Sequence, residues 1–392
     1  MWLSILLIAA PPLEIDLGAA IERALDSPEL RGLAEAVEER GRLDGEIGGT
    51  WGPLEFSVAP GARYGAADRG PELVARIDQP VHLGGIAGAR RAAATAERAE
   101  MRAAQGLERL ERSLDTARAW TKLWWLQRAA REAEDDVALA GRLIDHLRRQ
   151  RAHAELTAQE LAEGEAFLAE AQARSIDLEG LRYEAMLRLG ERIGAEPSDL
   201  LRAGAPQIQA GSSTTGPGVG PEVRRVQAEL QAASAREEEI RAAERPTFLA
   251  GLSWTREAGG SQVALLSLGL RAPLWDQDER GQAKALAERL SLRARLGATE
   301  RHARYRLALA VHEVEHAEEL EGVLRGALVT ATDRAVEATA RAQEAQAATV
   351  LELLWAKRRA IAARRTWLEQ LGEVHFARAQ LSILTRATES QP

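Results

Sequence analysis

The sequence predicts a mainly α-helical fold with a small β part: a tandem repeat of two long antiparallel helical hairpins, with four strands per chain. Three observations predict it. From about Gly88 to Ala152 there is no proline, and Leu107, Leu110, Leu114, Ala117, Trp120 and Trp124 recur at three- and four-residue steps. Such a run is one helix of about 95 Å at the α-helical rise, far longer than a compact domain needs. Four short runs alternate apolar and polar residues, as strands with one face in an apolar medium do. Finally, Pro28 and Pro221, Pro53 and Pro246, Pro80 and Pro273, and Gly88 and Gly281 all stand 193 residues apart, so the chain reads as two copies of one unit.

The elements follow in order. Residues 1–12 open with the uncharged apolar run MWLSILLIAA and read as a secretory signal peptide, too short to span a bilayer as a helix. The first repeat, 13–201, starts with a helical pattern over Leu17–Arg42. It breaks at Asp26-Ser27-Pro28, where Ser27 can cap a new helix with Pro28 at its first position. Leu54, Phe56 and Val58 give the first strand and Leu73, Ala75 and Ile77 the second. The joint to the first hairpin carries Pro80 and Gly88. Its outgoing arm ends in the polar run 148–155, which predicts a turn, and Leu156–Ile193 returns until Pro197 stops it. Residues 202–220, ending in SSTTGPGVG, are a linker by composition. The second repeat, 221–388, restarts with a helix and places strands at Phe248–Trp254 and Val263–Leu270. The joint follows at Pro273 and Gly281, then an outgoing helix to about Arg341, a polar turn at 343–346 and a returning arm over Thr349–Leu384, with 389–392 as a tail. In the returning arms the offset falls to 192, as Thr157 and Thr349, Glu160 and Glu352 show.

Composition narrows the function. A formal charge of −8 gives no basic footprint for nucleic acid, and the absence of cysteine removes disulfides, thiolate metal sites and a lipid-carrying N-terminal Cys. Four strands cannot close a barrel, and an open sheet in lipid leaves unpaired backbone groups costing several kcal/mol each. Three chains would supply twelve strands, an even number that closes, with the hairpins forming a trimeric α-barrel beside the 12-stranded β-barrel.

The order and doubling of AIERALDSPELRGLAEA (Ala20–Ala36), IDQPVHLGGIAGAR (Ile77–Arg90), LRAPLWDQDERGQA (Leu270–Ala283), ELTAQELAEGEAFLAEAQ (Glu155–Gln172) and TVLELLWAKRRAIAARR (Thr349–Arg365) resemble the TolC-like outer-membrane efflux proteins over essentially everything after the signal. The resemblance implies a homotrimeric exit duct seated in outer-membrane lipid with a large periplasmic portion, docked to a periplasmic adaptor and an inner-membrane pump, without cofactor or covalent chemistry. The short strands and chain look like the heavy-metal efflux branch. A type I secretion duct is the alternative within the family, and a soluble periplasmic coiled-coil scaffold the alternative outside it. Two departures stand out: the hairpin tips lack the family's glycine, and the N-terminal lipid-carrying Cys is missing.

Glu352 falls where the family carries an acidic gate residue. Three copies around a narrow aperture would favour cations. The alternative is a solvated carboxylate held by the dipole at a helix start. Trp355 occupies the family's second acidic position, giving an aromatic constriction, and Glu160 is the first-repeat counterpart of Glu352. Arg148, Arg149 and Arg151 at one tip, with Gln343 and Gln346 at the other, are candidates for adaptor docking. The pairs Pro80 with Gly88 and Pro273 with Gly281 are expected to turn the chain between strand and helix. His312-Glu313-Val314-Glu315-His316 matches the zinc-protease pattern H-E-x-x-H. A catalytic zinc needs a third protein ligand, for which only His375 offers itself in the C-terminal sequence, so a solvated helix face is the preferred reading.

Overall fold

In the computed structural model the described residues are 13–44, 51–64, 69–82, 85–152, 157–206, 219–257, 260–271 and 278–389. The signal segment, Pro273, residues 153–155 of the expected first hairpin turn and most of the linker lie outside them. Contacts divide the chain into two units, each drawn from both repeats: residues 1–31, 108–220 and 304–392, and residues 32–107 and 221–303.

The first unit begins with β1 (Leu13–Ile15), which pairs in parallel with β4 (Leu201–Ala203). Neither strand was expected, and β4 occupies the start of the stretch read as linker. α1 (Leu17–Leu25) starts where the Asp16 carboxylate accepts the Ala19 N–H at 2.7 Å. α2 (Pro28–Asp44) starts at the expected break, the Ser27 hydroxyl accepting the Leu30 N–H at 3.4 Å. α3 (Ile86–Ala152) is a single helix of 67 residues, about 100 Å at the α-helical rise, and contributes to both units. α4 (Ala158–Ile193) returns and ends at Gly194, whose φ of 67° makes the left-handed cap that glycine adopts without strain. The stop therefore comes three residues before Pro197. The core joins Trp120, Leu123, Trp124 and Leu126 of α3 to Leu178, Met186 and Leu189 of α4, with Ile15 and Leu201 above them. The buried Trp120 indole donates to the Ile15 carbonyl at 2.9 Å, tying β1 to α3.

The second hairpin differs from the first. α6 (Glu279–Val323) passes into a π-helical segment, Leu324–Val329, before α7 (Thr330–Glu344). The expected unbroken helix is thus interrupted within one turn of Gly322 and Gly326. α8 (Val350–Glu389) returns, anchored to α6 by Trp367 Nε1 on Glu321 at 2.8 Å and by Gln370 Nε2 on the Ala317 carbonyl at 3.2 Å.

The second unit holds α5 (Pro221–Ala243) and a sheet of β2 (Glu55–Tyr64), β3 (Arg69–Val81), β5 (Thr247–Arg256) and β6 (Gln262–Arg271), antiparallel in the order β2-β3-β5-β6. All four predicted strands are present. Pro80 is paired within β3 and does not follow it, a correction to the expected joint. The tolerance has a visible cause: on the β2 side the Pro80 carbonyl accepts the Gly52 N–H at 2.8 Å, and the Gly52 carbonyl, for which proline has no N–H to offer, is taken by Gln79 Nε2 at 2.6 Å. The joint glycines also differ. Gly281 donates its N–H to Asp278 Oδ1 at 3.1 Å, and a Cβ there would meet the Asp278 carboxylate, whereas nothing lies within 4 Å of a Cβ at Gly88. Gly281 serves a helix cap, and Gly88 does not.

Candidate functional site

Register sorts the sheet into two chemically distinct faces. Phe56 and Val58 of β2, Ala75 and Ile77 of β3, Leu252 and Trp254 of β5, and Leu266 and Ala264 of β6 lie on one side. The apolar band continues through Phe248, Leu268 and Leu270 and is open: Leu266 is 79% and Leu268 81% exposed. The other side carries all the sheet's acidic residues, Glu55, Glu72 and Asp78, with Arg63, Arg76, Ser253, Thr255 and Ser267, interspersed with Val74, Leu249, Val263 and Leu265. There Arg76 meets Asp78 at 2.6 Å and Arg63 meets Glu72 at 2.8 Å. Arg271 on edge strand β6 reaches Glu55 on edge strand β2 at 3.8 Å. In a flat sheet those strands would be about 14 Å apart, so the sheet curls with its polar face concave. Among the described residues neither edge has a further strand paired to it, and every residue of β2 is exposed. Among the described residues no helix is long and apolar enough to cross a membrane.

The candidate gate residues lie at the start of the returning arms. Glu352 and Trp355, with Leu351, Ala356 and Arg359 of α8, face Ala331, Thr332, Ala335 and Thr339 of α7 across a groove of about 610 Å³. Trp355 is about half exposed. Glu352 Oε2 accepts the Thr349 N–H at 2.7 Å and the Thr349 hydroxyl at 3.1 Å, while Thr349 Oγ1 accepts the Glu352 N–H at 3.2 Å. Glu160 makes the same reciprocal cap with Thr157, at 2.9, 2.7 and 3.2 Å. Hydrogen bonds from the capping threonine, the backbone N–H first, hold both carboxyls below the ordinary value. Both stay ionised at neutral pH, yet each is also a helix cap. Glu160 does not line the groove.

At the tips, Arg148, Arg149 and Arg151 lie inside α3, so the stretch expected to turn from Arg148 onward is helical through Ala152. Arg149 and Arg151 in the last helical turn complement the helix dipole, and Arg148 pairs with Glu165 of α4 at 3.3 Å. Gln343 belongs to the last turn of α7, and Gln346 turns the chain with φ 58°.

His312 and His316 share one exposed turn of α6, their rings 5.9 Å apart. Glu313, the general base of the protease pattern, points elsewhere and accepts from Gln380 of α8 at 2.8 Å. His375 packs edge-on against Trp124, ring centroids 4.6 Å apart, and supplies no third ligand. Among the described residues no three metal-ligating side chains gather.

The sequence matches no protein-family model and no curated protein. Its structure matches solved ones. A membrane protein from Pseudomonas aeruginosa aligns with a TM-score of 0.81 at 17% identity, over 94% of this chain and 89% of that one. The outer membrane protein VceC from Vibrio cholerae aligns at 0.79 and 17%, over 93% and 94%. The Campylobacter jejuni CmeC outer membrane channel aligns at 0.80 and 12%, over 96% and 87%. The chain therefore has the fold of the TolC-like outer-membrane channels.

Proposed function

We propose that three copies of this chain form an exit duct in the outer membrane, conducting substrate passively from an inner-membrane pump and its periplasmic adaptor to the exterior. The observation that carries this reading is the sheet: a continuous exposed apolar face, a concave charged face and two unpaired edges. In lipid those edges need partners, and a neighbouring sheet on each side supplies them while turning the polar face to a water-filled lumen. The likeness to VceC and CmeC supports the same reading through the fold. No bond is made or broken; the duct lowers a barrier to diffusion.

Glu352 and Trp355 are the residues we assign to the periplasmic constriction, with Glu160 as a second acidic ring. Threefold repetition of an ionised carboxylate around an aperture concentrates negative potential and favours cations. The heavy-metal branch gains no support from the described residues, which offer a cation carboxylates but no gathered ligand set. The tips at Arg148, Arg149, Arg151, Gln343 and Gln346 are the proposed adaptor contacts.

Membrane fractionation with gel analysis tests the reading. The expected result is a heat-sensitive trimer in the outer-membrane fraction whose deletion abolishes pump-dependent efflux. A soluble periplasmic monomer would favour the scaffold alternative and sink the duct.

A further inference from the structure

Across 311–323, VHEVEHAEELEGV, α6 carries five glutamates, two histidines and no Lys or Arg. Helical spacing sorts them onto two faces. Glu313, Glu318 and Glu321 turn to α8, where they accept from Gln380, Arg378 and Trp367 Nε1, each at 2.8 Å. His312, Glu315, His316 and Glu319 share the opposite face, at i, i+3, i+4 and i+7, and all four are exposed. Among the described residues neither imidazole meets a hydrogen-bond partner or a carboxylate.

The two rings lie one helical turn apart, their centroids separated by 5.9 Å and their planes 22° from parallel. Four residues of helix rise about 6 Å, so the separation is that of the backbone, and rotation of the exposed side chains closes it. Two imidazole nitrogens bound to one ion at about 2.0–2.1 Å stand about 3 Å apart, a distance that histidines at i and i+4 reach without any movement of the helix. Of the seven histidines in the chain, His312 and His316 are the single pair with that spacing.

We propose that His312 and His316 chelate one borderline divalent transition-metal ion, of the class of Zn²⁺, Ni²⁺ and Cu²⁺, on the exposed face of α6. Imidazole nitrogen selects such ions over Mg²⁺ and Ca²⁺, which take oxygen ligands. Glu315 and Glu319 add negative charge beside the ion, and water fills its remaining positions, since among the described residues no third ligand gathers there. Two ligands make an exchangeable binding site and not a catalytic one, and Glu313, the base of the protease pattern, faces α8. Both ligands belong to one helix, so the site depends neither on the duct nor on the assembly of three chains.

The test uses the full-length chain without a histidine tag, purified in detergent, with Cu²⁺ as the probe. Titration calorimetry should find one tight ion per chain, and the electron paramagnetic resonance spectrum should carry splitting from nitrogen. His316→Ala leaves a single imidazole and should weaken that binding about tenfold or more. Helix content should not change, because the residue is exposed. His302→Ala, on the same helix, should leave the affinity unaltered. Combining His316→Ala with Glu319→His keeps the histidine count but sets the ligands seven residues, about 10 Å, apart, and should not restore it. Unchanged affinity in His316→Ala, or full restoration in the double variant, would overturn the chelate. Displacement of Cu²⁺ by excess Mg²⁺ would overturn it too, by assigning the ion to the carboxylates. A chain that binds Cu²⁺ in this way but forms no trimer would sink the duct and keep the site.

Discussion

Thr349 donates its backbone N–H to the Glu352 carboxylate at 2.7 Å and takes back the Glu352 N–H on its hydroxyl at 3.2 Å. The residue most open to a gating role is thus also half of a capping box, and the same box recurs at Thr157 and Glu160. Charge and cap can be separated. Glu352→Gln keeps an acceptor for the Thr349 N–H but removes the charge, so trimer melting should stay unchanged while the cation-to-anion permeability ratio in planar bilayers falls. Thr157→Ala removes the hydroxyl acceptor in the first repeat and should cost about 1 kcal/mol by thermal denaturation, with selectivity unaltered. A permeability ratio insensitive to Glu352→Gln would leave the carboxylate with only its capping role.

Gly164 of α4 sits against the side chains of Leu147 and Ile144, where an added Cβ would stand 2.5 and 3.0 Å from their terminal methyl carbons. Leu147 is fully buried, so it has little room to yield. Overpacking of this kind costs about 1–3 kcal/mol, against a gain of about 0.5–1 kcal/mol from replacing a helical glycine. Gly164→Ala should therefore destabilise by about 1 kcal/mol in denaturant titration, and Gly141→Ala, with nothing within 4 Å, should stabilise by about 0.5–1 kcal/mol. A stabilised Gly164→Ala would show that the hairpin seam is looser than it looks.

The long helices and the four paired strands were legible because each repeats a period many times, and because the second copy restates the first. β1 and β4 were not: three residues cannot display a period, and their pairing joins segments nearly two hundred residues apart. The π segment is invisible for a different reason, since propensity records helix against coil and not hydrogen-bond register. T-x-x-E at Thr157–Glu160 and Thr349–Glu352 is a capping signature that could have been found. The threonines that mark the 192-residue offset are the capping partners of these acids.

His375 carries a pH dependence of definite sign. Burial first, then the positive charges of Arg378 and Arg128, lower its pKa to about 4, and its Nδ1 is buried with no hydrogen-bond partner. An unfolded chain protonates the ring near 6.5, so the neutral ring's contribution is whole above that pH and is lost as pH falls from about 6.5 to 4. For a partly exposed ring the loss is about 1–2 kcal/mol after solvent screening. His375→Phe keeps an aromatic edge for Trp124 and cannot titrate. Chemical denaturation from pH 7 to pH 4 should show a shallower decline in the variant, and parallel curves would remove His375 from the acid response.

The faces of the sheet predict opposite outcomes for one substitution. Leu268 lies on the apolar face, 81% exposed in the isolated chain, and Thr255 lies on the polar face one strand away. An arginine facing lipid near the bilayer midplane costs about 2–4 kcal/mol per chain, and a trimer bears it three times. An arginine facing a wet lumen is hydrated and costs little. Leu268→Arg should therefore deplete the trimer from the outer-membrane fraction. Thr255→Arg should insert at normal yield and shift single-channel selectivity towards anions by adding positive charge to the lumen wall. If both variants insert equally well, the exposed apolar face is not the lipid face. The unpaired strands β2 and β6 would then need some other cover than bilayer and neighbouring sheet.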